Sequence, residues 1–269
     1  MTIQKIPIAP LQKIRTYLTQ TLILPDSEDR PHSLSMDAAD DLPEPESIDE
    51  LSGLFNLGGD EQESELIPQS PDRLWFISTV NPAAPLRKLP GLRLKPGLRL
   101  VSYVCRYLGQ PEAEGIGVTW AVPEEFGSTA ELEAALASCE TKDALPHPQG
   151  ALEHFMLAIE GDRTPASFLC ASLLRRHIED FLQPKSARQW SHHRLIDSLP
   201  KKAIWQGKTQ IKDYVPKVRL LGDRQVAVEY FTCRTTSPIA IFRHREQYPP
   251  SSYYGQAIDR AVAVPGNRK

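Results

Sequence analysis

Little in this sequence points directly to a chemistry, and each thing it lacks removes a class of function. It has four cysteines, Cys105, Cys139, Cys170 and Cys233, set 34, 31 and 63 residues apart. That is neither a CxxC metal spacing nor the density of a disulfide-stapled secreted domain, so reduced and mostly buried thiols are expected. Long apolar runs are missing as well. The N-terminal stretch MTIQKIPIAPLQKIRTYLTQTLIL is interrupted by Gln12, Lys13 and Arg15, which argues against a signal-peptide core and a membrane span and leads to a cytoplasmic location. The patterns GxSxG, GxxxxGK[ST], HExxH and GxGxxG are absent; EGIGVTW holds Gly115 and Gly117 but no third glycine and no helix start. No catalytic residue, metal ligand or cofactor is assigned.

What the sequence does have is an uneven distribution of charge. The net charge is -3, yet residues 1–72 carry 15 acids against 4 bases and residues 73–269 carry 19 acids against 27 bases. An arm of -11 is joined to a body of +8. Either the arm lies against the body or each seeks a partner of opposite sign.

Three regions follow from composition. Residues 1–25 contain an amphipathic helix, LQKIRTYLTQTLIL, with Leu11, Ile14, Leu18 and Leu22 on one stripe, Pro10 in the first turn and Pro25 as a stop. Residues 26–72 hold 15 acids and one base with few apolar groups, which reads as a disordered acidic linker. Within it, residues 47–57 form a helix-competent island. Ser47 and Glu50 have the spacing of a capping box, Ile48, Leu51, Leu54 and Phe55 share a face, and Gly58 and Gly59 follow. This face is the candidate partner-binding element, docking on another protein or on the chain's own basic body.

Residues 73–269 read as one globular α+β body with an antiparallel sheet or sheets. Strands are expected at 74–79, 98–107 and 116–122. Three helices follow: STAELEAALASCE, capped by Ser128 with Glu131; PQGALEHFMLAIE, opened by Pro148; and TPASFLCASLLRRHIEDFL, capped by Thr164 with Pro165 and apolar enough to be the central core helix. An antiparallel meander is expected from Lys217 to Tyr248. Strands, then helices, then strands is the order of an α+β fold rather than a parallel α/β one.

The most functional-looking stretch is LRKLPGLRLKPGLRL, residues 86–100, in which PGLRL occurs twice and no acid interrupts Arg87, Lys88, Arg93, Lys95 and Arg99. If extended, it places Leu86, Leu92, Leu94, Leu98 and Leu100 on one side and the cations on the other. Pro90-Gly91 and Pro96-Gly97 are also type II turn signals that kink it. As a basic surface it suits an acidic protein or a phosphate backbone, with Tyr103 and Tyr107 as candidate stacking partners.

His192 and His193 are adjacent, so on a strand they face opposite ways and do not ligate one metal together. His193 near Arg194 or Asp197 is a candidate lone base, His244 sits in FRHRE, and Trp190, Trp205, Tyr230 and Phe242 are candidate pocket walls. The leading expectation is a non-enzymatic adaptor with a protein partner, bound through an acidic linear motif and a basic body. Nucleic acid, specifically RNA, held by the 86–100 ribbon is the alternative, and a small-molecule enzyme or pocket protein is the third.

Overall fold

The computed structural model describes residues 2–25, Glu28, 73–107, 116–137, Cys139, 144–183, 189–201, 203–207 and 211–266. Its elements run β1 (Thr2–Lys5), α1 (Ile8–Thr21), β2 (Arg73–Ile77), β3 (Leu92–Leu94), β4 (Leu98–Tyr107), β5 (Ile116–Pro123), α2 (Thr129–Ala137), β6 (Ile159–Gly161) and α3 (Pro165–Phe181). The last six are β7 (His193–Ile196), β8 (Trp205–Gln206), β9 (Lys217–Leu220), β10 (Val226–Arg234), β11 (Ala240–Tyr248) and β12 (Gln256–Pro265). All strand pairs are antiparallel. The fold is mixed α+β. The acidic stretch 26–72, Glu28 apart, lies outside the described residues, and with it the island residues Ile48, Leu51, Leu54 and Phe55.

Seven strands form the larger sheet in the order β1-β9-β10-β11-β12-β8, and β7 also pairs with β10. β10 has room for both neighbours on one edge because β9 takes Val226–Glu229 and β7 takes Phe231–Arg234. The smaller sheet is β2-β4-β5, and β3 pairs with β6. Between the two sheets lies α3, in contact with β9 and β10 on one side and with β3 and β5 on the other. A helix covered twice cannot keep a single apolar stripe. Accordingly Phe168, Leu169, Cys170, Leu173, Leu174 and Ile178 are all at most 1% exposed. Thr164 caps its start by accepting from Ser167 N at 3.3 Å, as the sequence predicts.

α1 packs on α3 through Leu11 and Leu18, and β1 extends the large sheet beside β9. A second core lies between the small sheet and α2, where Tyr103 is fully buried and donates to Leu132 O at 2.9 Å. The capping box of α2 is formed on both sides, Ser128 N to Glu131 Oε2 at 3.1 Å and Glu131 N to Ser128 Oγ at 3.3 Å.

The middle helix expected at 148–160 does not form. Residues Phe155–Ala158 make a 3-10 turn, capped by His154 Nδ1 accepting from Met156 N at 3.1 Å, and Ile159–Gly161 continue as β6 against β3. Four of the five residues 155–159 are buried. Pairing with β3 and burial on successive positions outweigh the helical period of this segment. The last strand, β12, carries no signal in the sequence pattern. Its outward positions are mostly exposed and carry no apolar alternation.

Candidate functional site

The large sheet has one face against α3 and one face away from it, and alternation along each strand decides which residues go where. Val218, Val226, Val228 and Tyr230 point toward α3 and are buried. Register then puts Lys5, Lys217, Arg219, Arg243, Arg245 and Arg260 on the opposite, outer face, through the pairs Lys5↔Lys217, Lys217↔Glu229, Glu229↔Arg245 and Arg243↔Arg260. Glu229 is the one acid at the outer positions of β1, β9, β10, β11 and β12.

Lys217 Nζ lies 2.9 Å from Glu229 Oε1, Arg243 Nε 2.8 Å from Oε2, and Arg219 and Arg245 each 3.7 Å away. Burial alone would raise this carboxyl's pKa; hydrogen bonds from Lys217 and Arg243 more than reverse that and hold it below the usual carboxylate range. Lys5 takes Asp213 at 3.0 Å, and Arg260 meets no carboxylate among the described residues. Cations outnumber acids, and Arg245 is 53% exposed. At the other end, the outer face is covered by Trp205, Ile211 and Tyr214 packed on Phe231 and Ile241.

The 86–100 ribbon is not one strand. A 3-10 turn covers Ala84–Lys88, and the chain bends at Gly91 and Gly97, whose φ values of 70° and 75° belong to the region that favours glycine. Leu86, Leu89, Leu92 and Leu100 are buried and Arg87, Lys88, Arg93 and Arg99 exposed, but several of the cations are engaged within the chain. Arg93 pairs with Glu160 at 2.7 Å, Arg99 donates to Gly127 O, and Lys88 lies 5.5 Å from the Tyr17 ring. Arg87 and Lys95 meet no carboxylate among the described residues. Tyr103 is in the second core, and the side chain of Tyr107 lies outside what is described.

The inner face carries a chain of polar groups that the sequence does not announce. Arg176 of α3 grips Asp259 of β12 with both terminal nitrogens, at 2.6 and 2.8 Å. Asp259 Oδ1 is 2.9 Å from His244 Nδ1, His244 Nε2 is 2.7 Å from Thr232 Oγ1, and Thr232 Oγ1 is 2.7 Å from His193 Nδ1. Burial lowers the pKa of His193 to about 3, helped by His244 and by Arg234, Arg15 and Arg176. Burial also lowers His244 despite Asp259 beside it. Asp259 is held well below the usual range because His244 and Arg176 outweigh its burial.

Asp, His and a hydroxyl in this order are the parts of a nucleophilic triad, yet Thr232 is fully buried and its oxygen is shared between two rings. It relays hydrogen bonds and presents nothing to a substrate. Beside the relay an open cleft of about 410 Å³ is lined by Trp190, Phe242, His193, His244, Arg176 and Asp259 among others. Trp190 is fixed by Asp180 Oδ1 accepting from its backbone N at 2.9 Å, by its indole N–H on His177 Nδ1 at 3.1 Å, and by Arg15 on its carbonyl at 2.9 Å. Of the four aromatics expected to wall a pocket, Trp190 and Phe242 line this one, Tyr230 stacks on His244, and Trp205 sits on the outer face.

Arg176, Glu179, Asp180 and Gln183 are spaced i, i+3, i+4 and i+7, so a polar stripe on an otherwise apolar helix was the one local signal for this cleft. Among the described residues no three His, Cys, Asp or Glu side chains come together as a metal-binding group, and no helix is long and apolar enough to cross a membrane. No protein-family model matches the chain, and no curated protein or solved structure resembles it significantly.

Proposed function

We propose that the protein is a non-enzymatic adaptor whose body holds an acidic protein partner on the outer face of the large sheet. The observation that supports this is the excess of Lys5, Lys217, Arg219, Arg243, Arg245 and Arg260 over Glu229, the one acid at the outer strand positions, and Asp213, which pairs with Lys5. Neighbouring strands bring these side chains within about 5 Å of one another, a spacing that matches carboxylates along an extended or helical acidic segment. Glu229 is itself an example of a carboxylate accepted there by several cations at once. Among the described residues no aromatic ring stands between these cations at the outer strand positions, and nucleic acid is an outcome of the test rather than the reading. The second contact of the adaptor is the apolar face Ile48, Leu51, Leu54 and Phe55.

The test is fluorescence anisotropy of full-length protein with a labelled Asp/Glu-rich peptide and, separately, a labelled single-stranded RNA. Arg219→Glu with Arg245→Glu should weaken the peptide by roughly tenfold or more, and added salt should weaken it further. Peptide binding unchanged by the double reversal, or RNA bound more tightly than the peptide, would overturn the reading. Leu54→Ser with Phe55→Ser should remove a different contact and leave the acidic-peptide affinity unaltered.

A further inference from the structure

Hydrogen-bond polarity along the inner relay is set from its far end. Asp259 is an ionised carboxylate clamped by Arg176, so toward His244 it can only accept. His244 Nδ1 therefore carries a proton, and in a buried neutral ring Nε2 then carries a lone pair. Thr232 gives its hydroxyl proton to that nitrogen and accepts from His193 Nδ1. The opposite polarity would set a bare His244 nitrogen against the Asp259 carboxylate. His193 is neutral too, so its Nε2 is an acceptor, and it meets no partner among the described residues.

We propose that the cleft binds a small planar molecule carrying a neutral hydroxyl or ring N–H, which donates to His193 Nε2 while its ring lies against Trp190 and Phe242. The cleft's volume of about 410 Å³ lies within the range of small-molecule sites. Trp190, His193 and Phe242 pack on one another, Trp190 and His193 with centroids 5.6 Å apart at 25° and His193 and Phe242 4.8 Å apart at 53°, so the cleft offers a planar molecule an aromatic wall along one side. A carboxylate or phosphate oxygen would face a lone pair at His193, and the charge of Arg176 is already taken by Asp259. A neutral donor suits this end of the relay and an anion does not.

The experiment uses full-length protein and three probes of similar size: phenol, which donates; acetophenone, which only accepts; and toluene, which does neither. Nitrogen NMR of the histidine rings should find His193 protonated at Nδ1 and bare at Nε2. Phenol should shift the Nε2 resonance and bind about fivefold more tightly than toluene or acetophenone, the gain expected of one hydrogen bond. A proton on His193 Nε2, a His193 resonance unmoved by phenol, or acetophenone binding more tightly than phenol would each overturn the proposal.

Asp259→Asn supplies a second test. An amide can donate to His244 Nδ1, which reverses every hydrogen bond along the relay, puts the proton on His193 Nε2 and passes the preference to acetophenone. An unchanged preference for phenol in that variant would show that the relay does not set it. Should the variant fail to fold, the comparison of the three probes on the wild type decides alone.

Discussion

On the inner face of the large sheet, Asp259 is matched to Arg176 and His244, and the remaining polar atoms are passed from Thr232 to His193 under the cover of α3 and Trp190. On the outer face of the same strands, Glu229 is the one carboxylate at the strand positions, Asp213 meets Lys5, and the cations outnumber both, with Arg245 and Lys5 reaching into solvent. Residues two positions apart on one strand stay together and neighbours separate, so His244 and Arg245 belong to different electrostatic worlds. Desolvation explains the contrast. Under α3 a charge without a partner is costly, so histidines stay neutral and carboxylates are paired; toward water, unmatched cations cost little and remain available.

Acid should separate the two faces most sharply. His177 and His193 have folded pKa values of about 4 and about 3, against about 6.5 when unfolded. Their contribution is complete well above pH 6.5, where neither state is protonated. As pH falls below that value the unfolded chain takes up protons that the folded one refuses, and stability declines. Between pH 7 and 5 each should cost about 2 kcal/mol, or about 4 kcal/mol together. Glu229 adds nothing in that window, since its depressed carboxyl loses its contribution only below about pH 4.5. Urea unfolding at pH 7, 6 and 5 checks this, and a flat profile would place these histidines in water.

Removing the acid at the centre of the outer cations comes next in size. Glu229→Gln leaves Lys217 and Arg243, both partly buried, without their counter-charge, and about 3 kcal/mol of unfolding free energy should be lost, read from denaturant unfolding. Thr232→Val keeps the shape of the relay but leaves two ring nitrogens without a partner, for a loss of about 2 kcal/mol. The smallest effect is Arg245→Ala, where stability should stay within about 0.5 kcal/mol because the side chain is over half exposed. A large loss there would mean that the outer cations hold the fold together rather than face a partner.

Reading the sequence goes furthest where the signals are local. The cap of α3 by Thr164 and Pro165, the capping box of Ser128 with Glu131, and the turns at Gly91 and Gly97 each depend on residues within a few positions of one another. The segment 148–160 has a helical period, but its conformation is decided by β3, far back in the chain. In the 86–100 ribbon the cations are contiguous, so a short window of sequence contains them. The outer face is more basic, and its cations are scattered over residues 5 to 260, so no window of sequence contains them.

The sequence by itself determined the α+β class, the central apolar helix, the reduced cysteines and a body richer in bases than acids, because composition and short-range periodicity carry that information. Only the tertiary structure decided which cations share a face and which histidines share a hydrogen-bond relay. Strand register sets both. Shifting one strand by a single residue would exchange His244 for Arg245 and abolish the relay and the basic face together, though the composition would be untouched.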